Sequence, residues 1–183
     1  TYTLSTTNAF GCSSTDNKII TVNPYPTATF AIINPLCVNG SSISLTQGSP
    51  SGGIYSGTGV SAGSFNPSVA GVGTHTITYV YINTSGCSDT ATQTVVVNPL
   101  PSVSFSGLSP SACISGANLT LTGAPTGGVF TGNGILGNQF NPATAGAGTH
   151  AIQYSYTDVN SCSASSSQSI LVYSLPIVNA GNN

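Results

Sequence analysis

The sequence predicts an all-β chain of antiparallel β-sandwich repeats, each about 75 residues long and joined head to tail. Three observations predict it. Landmark residues recur at one fixed step along the chain. Apolar and polar residues alternate with a period of two. Clusters of Gly, Pro, Asn and Ser punctuate every junction between alternating runs.

The prolines show the step: Pro26 opens PTATFAI, Pro101 opens PSVSFSG and Pro176 opens PIVNAG, at equal intervals. Gly52-Gly53 corresponds to Gly127-Gly128, and Gly57 and Gly59 to Gly132 and Gly134. The phrase FNPSVAGVGTHTITYVY from Phe65 returns as FNPATAGAGTHAIQYSY from Phe140. Cys12, Cys87 and Cys162 fall on the same beat. Residues 1–25 therefore read as the last two strands of a preceding copy, 26–100 and 101–175 as two whole copies, and 176–183 as the opening of another. The chain reads as a window on a longer tandem array, with no leader peptide in the window. The last opening differs, since Ala180 stands where Phe30 and Phe105 stood.

Within a copy the elements follow in order. Opening strands carry Phe30 and Phe105. The next carry Ile43 and Leu45, then Leu119 and Leu121. The stretches GGIYSGTGV and GGVFTGNGI lack Lys and precede no helical pattern, so they read as turns and bulges around a strand, not phosphate loops. In THTITYVY, His75, Ile77, Tyr79 and Tyr81 share one parity; in the second copy Ile152, Tyr154 and Tyr156 do. Alternate residues of a strand face opposite ways, so this Ile/Tyr face points inward. Closing strands carry Val95 and Val97, then Ile170 and Val172. No stretch shows a helical period with caps. Short strands at regular spacing with Gly-rich turns indicate a sandwich that is Ig-like in kind. The joints NPYP and NPLP are short and held extended by proline.

Composition excludes several functions. The 183 residues include one Lys, three Asp and no Arg, Glu, Met or Trp. Only 2% are charged, where about 25% is ordinary. With 39% apolar residues the chain can bury a core and cover it with hydroxyls and amides. Lys18 alone makes no basic patch, so neither nucleic acid nor an anionic membrane surface is an expected partner. No apolar run reaches the ~20 residues of a bilayer span. So little charge does little to keep copies apart, and self-association is expected.

The five cysteines read as two pairs and one remainder. Cys37 precedes the second strand of its copy and Cys87 follows TITYVY; taking both to reach one end of the sandwich predicts Cys37–Cys87 and, likewise, Cys113–Cys162. Cys12 is left for a cysteine upstream. Each bridge would close a loop of about 50 residues, worth ~4 kcal/mol in the chain-entropy model. Disulfides imply an oxidising, extracytoplasmic location. No two cysteines are close in sequence, so zinc is not expected.

His75 and His150 invite a Ser-His-Asp reading, with Asp89 and Asp158 available. Repetition argues against it: a structural position is copied of necessity, an active site rarely so. Each His follows Gly-Thr and begins the inward parity, so it is expected to close the end of the core by a hydrogen bond, with Phe65, Phe140, Tyr79 and Tyr154 as the other copied structural positions. Asp16, Asp89 and Asp158 occupy three different repeat positions, which excludes a copied carboxylate pair. NPLP offers no carboxylates for a calcium linker. No catalytic residue, metal or cofactor is expected. N-glycosylation sequons stand at Asn39, Asn83 and Asn118.

The combination GG…GxG…FNP…AGxGTHxIxY, with its flanking prolines and cysteines, resembles the tandem Ig-like repeats of very large cell-surface proteins of Bacteroidota: gliding-motility adhesins and related filaments exported by the type IX secretion system. The resemblance covers both whole copies and the partial first one. It implies a secreted, surface-anchored stalk with adhesive or motility roles. It also implies O-glycosylation at Asp-Ser/Thr-apolar triplets, of which Asp89-Thr90-Ala91 is one, so Thr90 is a candidate. The second copy lacks that Asp.

The expected function is a non-catalytic structural repeat in the shaft of an extracellular filament or adhesin, whose chains associate with one another and meet surface glycans or other cells. Two alternatives stay open: a carbohydrate- or protein-binding module using variable loops, and spacer domains of a secreted hydrolase.

Overall fold

A computed structural model describes residues 1–178. The expected opening at 176–183, including Ala180, falls for the most part outside them. The chain is almost entirely β, in sheets that are antiparallel except for one short parallel pair in each of two strand sets.

The chain begins with an antiparallel hairpin of Tyr2–Thr7 and Ser13–Lys18, exposed on both faces. The first strand set follows. Its main sheet has four strands in the order Leu36–Cys37, Ser88–Asn98, Gly73–Ile82, Ile54–Ser56. Against it lie a three-stranded sheet (Ile43–Ser44, Ser64–Phe65, Val60–Ser61) and the pair Thr29–Phe30 with Gly48–Ser49. The second set repeats every part, from Ser104–Ser106 to Ser163–Tyr173. The long hairpins share one register: Gly73 faces Val97 and Ile82 faces Ser88, just as Gly148 faces Val172 and Thr157 faces Ser163. Among the described residues no strand of one set pairs with a strand of the other.

Strand parity decides the core. Ile77, Tyr79, Val95 and Val97 are buried, as are Ile152, Tyr154, Ile170 and Val172. The Ile and Val side chains of the first sheet pack against Leu45 and Phe65 of the facing layer; those of the second meet Leu121 and Phe140. Two separate cores result, one inside each sandwich.

One element departs from the expectation of no capped helix. Pro67–Ala70 and Pro142–Ala145 each form a single helical turn. Asn66 and Asn141 cap them through the side chain, Pro occupies the first position, and Gly71 and Gly146 end them at φ 82°. This is the Asn-cap, Pro-first, Gly-last pattern. Four residues are too few to show a 3.6-residue period, so only the caps could have revealed it.

The expected pairs Cys37–Cys87 and Cys113–Cys162 are corrected by the structure, which joins Cys37 to Cys162 across 125 residues, Cα to Cα 5.6 Å. Cys12, Cys87 and Cys113 are free. The reason is the parallel pair. Cys37 lies beside Asn98, the last residue of the closing strand, whereas Cys87 lies just before Ser88, the first. At ~3.4 Å per residue the strand between separates them by roughly 37 Å, far beyond the ~7 Å a disulfide tolerates. Cys113, beside Tyr173, is separated from Cys162 in the same way.

Candidate functional site

Each repeat carries the same internal constellation, built around its copied aromatic and imidazole side chains. Phe65 and Phe140 are fully buried in their cores. Beside each lies the imidazole, with ring centroids 6.3 Å apart in both copies. His75 Nε2 hydrogen-bonds to the Gly71 carbonyl at 2.8 Å and His150 Nε2 to the Gly146 carbonyl at 2.9 Å. The ring thus bonds the carbonyl at the exit of the helical turn just ahead of its own strand. The FNP…GTH phrase is one local device: cap, turn, and a ring that ties the turn to the strand.

The carboxylates are far from any shared centre. Asp16 is exposed on the first hairpin. Asp89 accepts the Ala28 amide hydrogen at 2.8 Å, and that bond, helped by the Thr90 amide, holds its carboxyl below the usual range. Asp158 accepts the amide hydrogens of Asn160 and Cys162 in a hairpin turn. No cluster of three or more His, Cys, Asp or Glu able to hold a metal occurs among the described residues. No helix there is long and apolar enough to cross a membrane. Thr90 is exposed on the closing strand, opposite Val80.

Each sandwich also has an open cleft over its buried tyrosine. The cleft of the second copy measures ≈ 440 Å³ and is lined by Leu121, Gly123, Gly127, Gly128 and Tyr154; that of the first measures ≈ 370 Å³, over Tyr79. The tyrosine ring is one of three aromatics in edge-to-face and tilted contact: Phe105, Phe130 and Tyr154 with centroids 5.4 and 4.6 Å apart, and Phe30, Tyr55 and Tyr79 with 5.4 and 4.7 Å. The hydroxyl is fully engaged. Tyr154 Oη donates to the Pro125 carbonyl at 2.5 Å and accepts the Gly128 amide hydrogen at 2.8 Å. Tyr79 bonds the Pro50 carbonyl and the Gly53 amide in the same manner. Glycine is required at 123 and 128, since a Cβ at either would overlap the Tyr154 ring.

Tyr154→Phe is expected to destabilise the second sandwich by ~1–3 kcal/mol, because it removes both bonds and leaves a part-buried carbonyl and amide without their partner. Urea unfolding followed by tyrosine fluorescence measures it. A midpoint unchanged from the parent would contradict the anchoring role.

The sequence reading missed a second copied device. Asn8, Asn83 and Asp158 each accept, through Oδ1, the amide hydrogen of the cysteine four residues on, at 3.0, 2.9 and 2.8 Å. The same oxygen accepts the amide two residues on. An Asx turn therefore presents each hairpin cysteine. The signal was legible as Asn/Asp-x-x-x-Cys, present three times in the sequence.

No protein-family model matches the chain, and no curated protein matches it. Among solved structures, it is similar to a calcium-stabilised adhesin with which an Antarctic bacterium binds ice, at 11% identity and a TM-score of 0.41. The match covers 94% of this chain and 56% of that one, and calcium and ice are properties of that adhesin.

Proposed function

We propose that the chain is a non-catalytic structural segment of an extracellular surface filament or adhesin, with sandwich units over 26–100 and 101–175 forming part of its shaft. The observation that carries this reading is the bridge between Cys37 and Cys162, which ties one sandwich to the next instead of closing either. A bond between units fixes distance and orientation along the chain, which is what a shaft requires. The copied constellation of His, Phe and Tyr supports the same reading, because its polar atoms bond the surrounding backbone. A disulfide persists in an oxidising compartment, which supports a location outside the cell. The low charge favours bundling of neighbouring chains through contacts insensitive to salt. The likeness of the repeat phrase to gliding-motility adhesins favours a surface-anchored stalk reached by type IX secretion, with Thr90 as a glycan acceptor.

The paired clefts over Tyr79 and Tyr154 favour one competing reading, a carbohydrate-binding module. Two measurements separate them. Small-angle scattering of chains lengthened by one and two further copies of residues 101–175 should show the maximum dimension rising in equal steps. A glycan array should show no saturable binding. Saturable binding lost on filling the cleft from its exposed rim with Thr126→Trp would replace the shaft reading with the module.

A further inference from the structure

We propose that the Cys37–Cys162 bridge is one link of a repeating series. In it, the cysteine that ends each repeat's parallel edge strand bonds the hairpin cysteine of the repeat that follows. Cys113 then bonds the hairpin cysteine of the next repeat, and Cys87 and Cys12 bond edge cysteines of the repeats before their own.

Two observations support this beyond the one bond. First, both kinds of cysteine sit in copied local geometry. The hairpin cysteines 12, 87 and 162 share the Asx turn described above. The edge cysteines 37 and 113 share another: the next amide donates to the end of the closing strand, Val38 to Asn98 and Ile114 to Tyr173, both at 2.9 Å. Gly40 and Gly116 close the turn onto the Cys37 and Cys113 carbonyls, both at 2.8 Å. The local geometry that presents Cys37 and Cys162 is therefore present at Cys113 and Cys87.

Second, the two kinds stand at opposite ends of each sandwich. Cys37 and Cys113 lie beside the last residues of the closing strands, where the chain leaves for the next repeat. Cys87 lies where the chain arrives, since Asn83 of its turn donates to the carbonyl of Pro24, in the incoming joint, at 3.3 Å. The free cysteines thus face away from one another, each toward a neighbouring repeat. The bonded Cys162 is fully buried, while Cys113 is exposed.

Each link forms by thiol–disulfide exchange with a disulfide oxidant. One cysteine thiolate attacks the oxidant to give a mixed disulfide and release one thiol. The second thiolate displaces the other thiol, so two cysteines are oxidised and one oxidant disulfide is reduced.

The inference rests on the tandem-array reading but not on what the array does, so its test involves no binding or mechanics. Cys87→Ser is introduced, a further copy of residues 26–100 is inserted after Leu175, and the chain is refolded with oxidised and reduced glutathione. Free thiols are alkylated and the linked peptides sequenced after digestion with pepsin. Expected are a Cys37–Cys162 pair and a new pair joining Cys113 to the hairpin cysteine of the inserted copy. In the parent chain Cys113 should be fully alkylated. Cys113 linked to Cys162, or still alkylated in the lengthened chain, overturns the proposal.

Discussion

Pulled from its two ends, the oxidised chain should release ~440 Å less contour than the same chain reduced. The figure follows from the separation of 125 residues between Cys37 and Cys162, at ~3.5 Å per extended residue. Tension entering through the first sandwich reaches Cys37, crosses to Cys162 and leaves through the end of the second sandwich. Everything between is out of the load path, including most of both cores; of the buried core residues only Ile33 in the first sandwich and Ile170 and Val172 in the second stay on it. Two bridges closed within the repeats would withhold ~350 Å, from loops of 50 and 49 residues. The variant Cys37→Ser separates the cases more sharply. With the bond between repeats it abolishes the whole difference between oxidised and reduced chains; with bonds inside them it would remove about half. Single-molecule force spectroscopy in the presence and absence of a reductant reads both. Equal contour with and without reductant would exclude a load-bearing role for the bridge.

In an array linked throughout as proposed, the load path shortens again. From Cys87 the backbone runs only as far as Cys113, crosses a bridge, and arrives one repeat further on. Two repeats then share ~90 Å of extensible backbone, instead of the ~500 Å that 150 unlinked residues could yield. Such an array would reach its limit of extension almost as soon as its units opened. In it the fold would supply the compact length, and the sulfurs would set the maximum.

Most of the fold was legible because its signal is local and copied. Parity alone identified Ile77, Tyr79, Val95 and Val97 as inward, and the constant step carried that result to Ile152, Tyr154, Ile170 and Val172. Parity says which face a residue occupies; it does not say at which end of the sheet a strand stops. The cysteine pairing depends on the end. Leu36–Cys37 runs parallel to the closing strand Ser88–Asn98, a relation between segments so distant in sequence that no local pattern records it. The helical turn after Asn66 was missed for the opposite reason, being too short for any period. The Asx turns lay in plain view as a three-fold spacing, but nothing in it tells that one of the cysteines they present, Cys162, bonds outside its own repeat.

The second large effect is expected at Phe140. Its side chain is fully buried, packed in the core with Leu121, Ile152, Ile170 and Val172, and its strand is held on both sides, by Leu119 and by Ile135. The lining cannot collapse freely into the space left by Phe140→Ala, because the facing residues belong to a long hairpin of fixed register. The change should therefore cost ~3–5 kcal/mol, the loss of transfer free energy plus a cavity. A sandwich of about 75 residues buries a limited core and has ~4–11 kcal/mol to lose at ~0.05–0.15 kcal/mol per residue. Phe140→Ala should thus remove a large part of the second sandwich's stability while leaving the first, with its separate core around Phe65, folded. Urea unfolding should change from one transition to two, the earlier one belonging to residues 101–175. Hydrogen exchange should show early opening confined to the second sandwich, read most clearly in its long strands Gly148–Thr157 and Ser163–Tyr173. Phe65→Ala should reverse the assignment. Simultaneous loss of both sandwiches in either variant would show that the bridge couples their folding as well as their positions; a shift below ~1 kcal/mol would mean that the core is not organised around this ring.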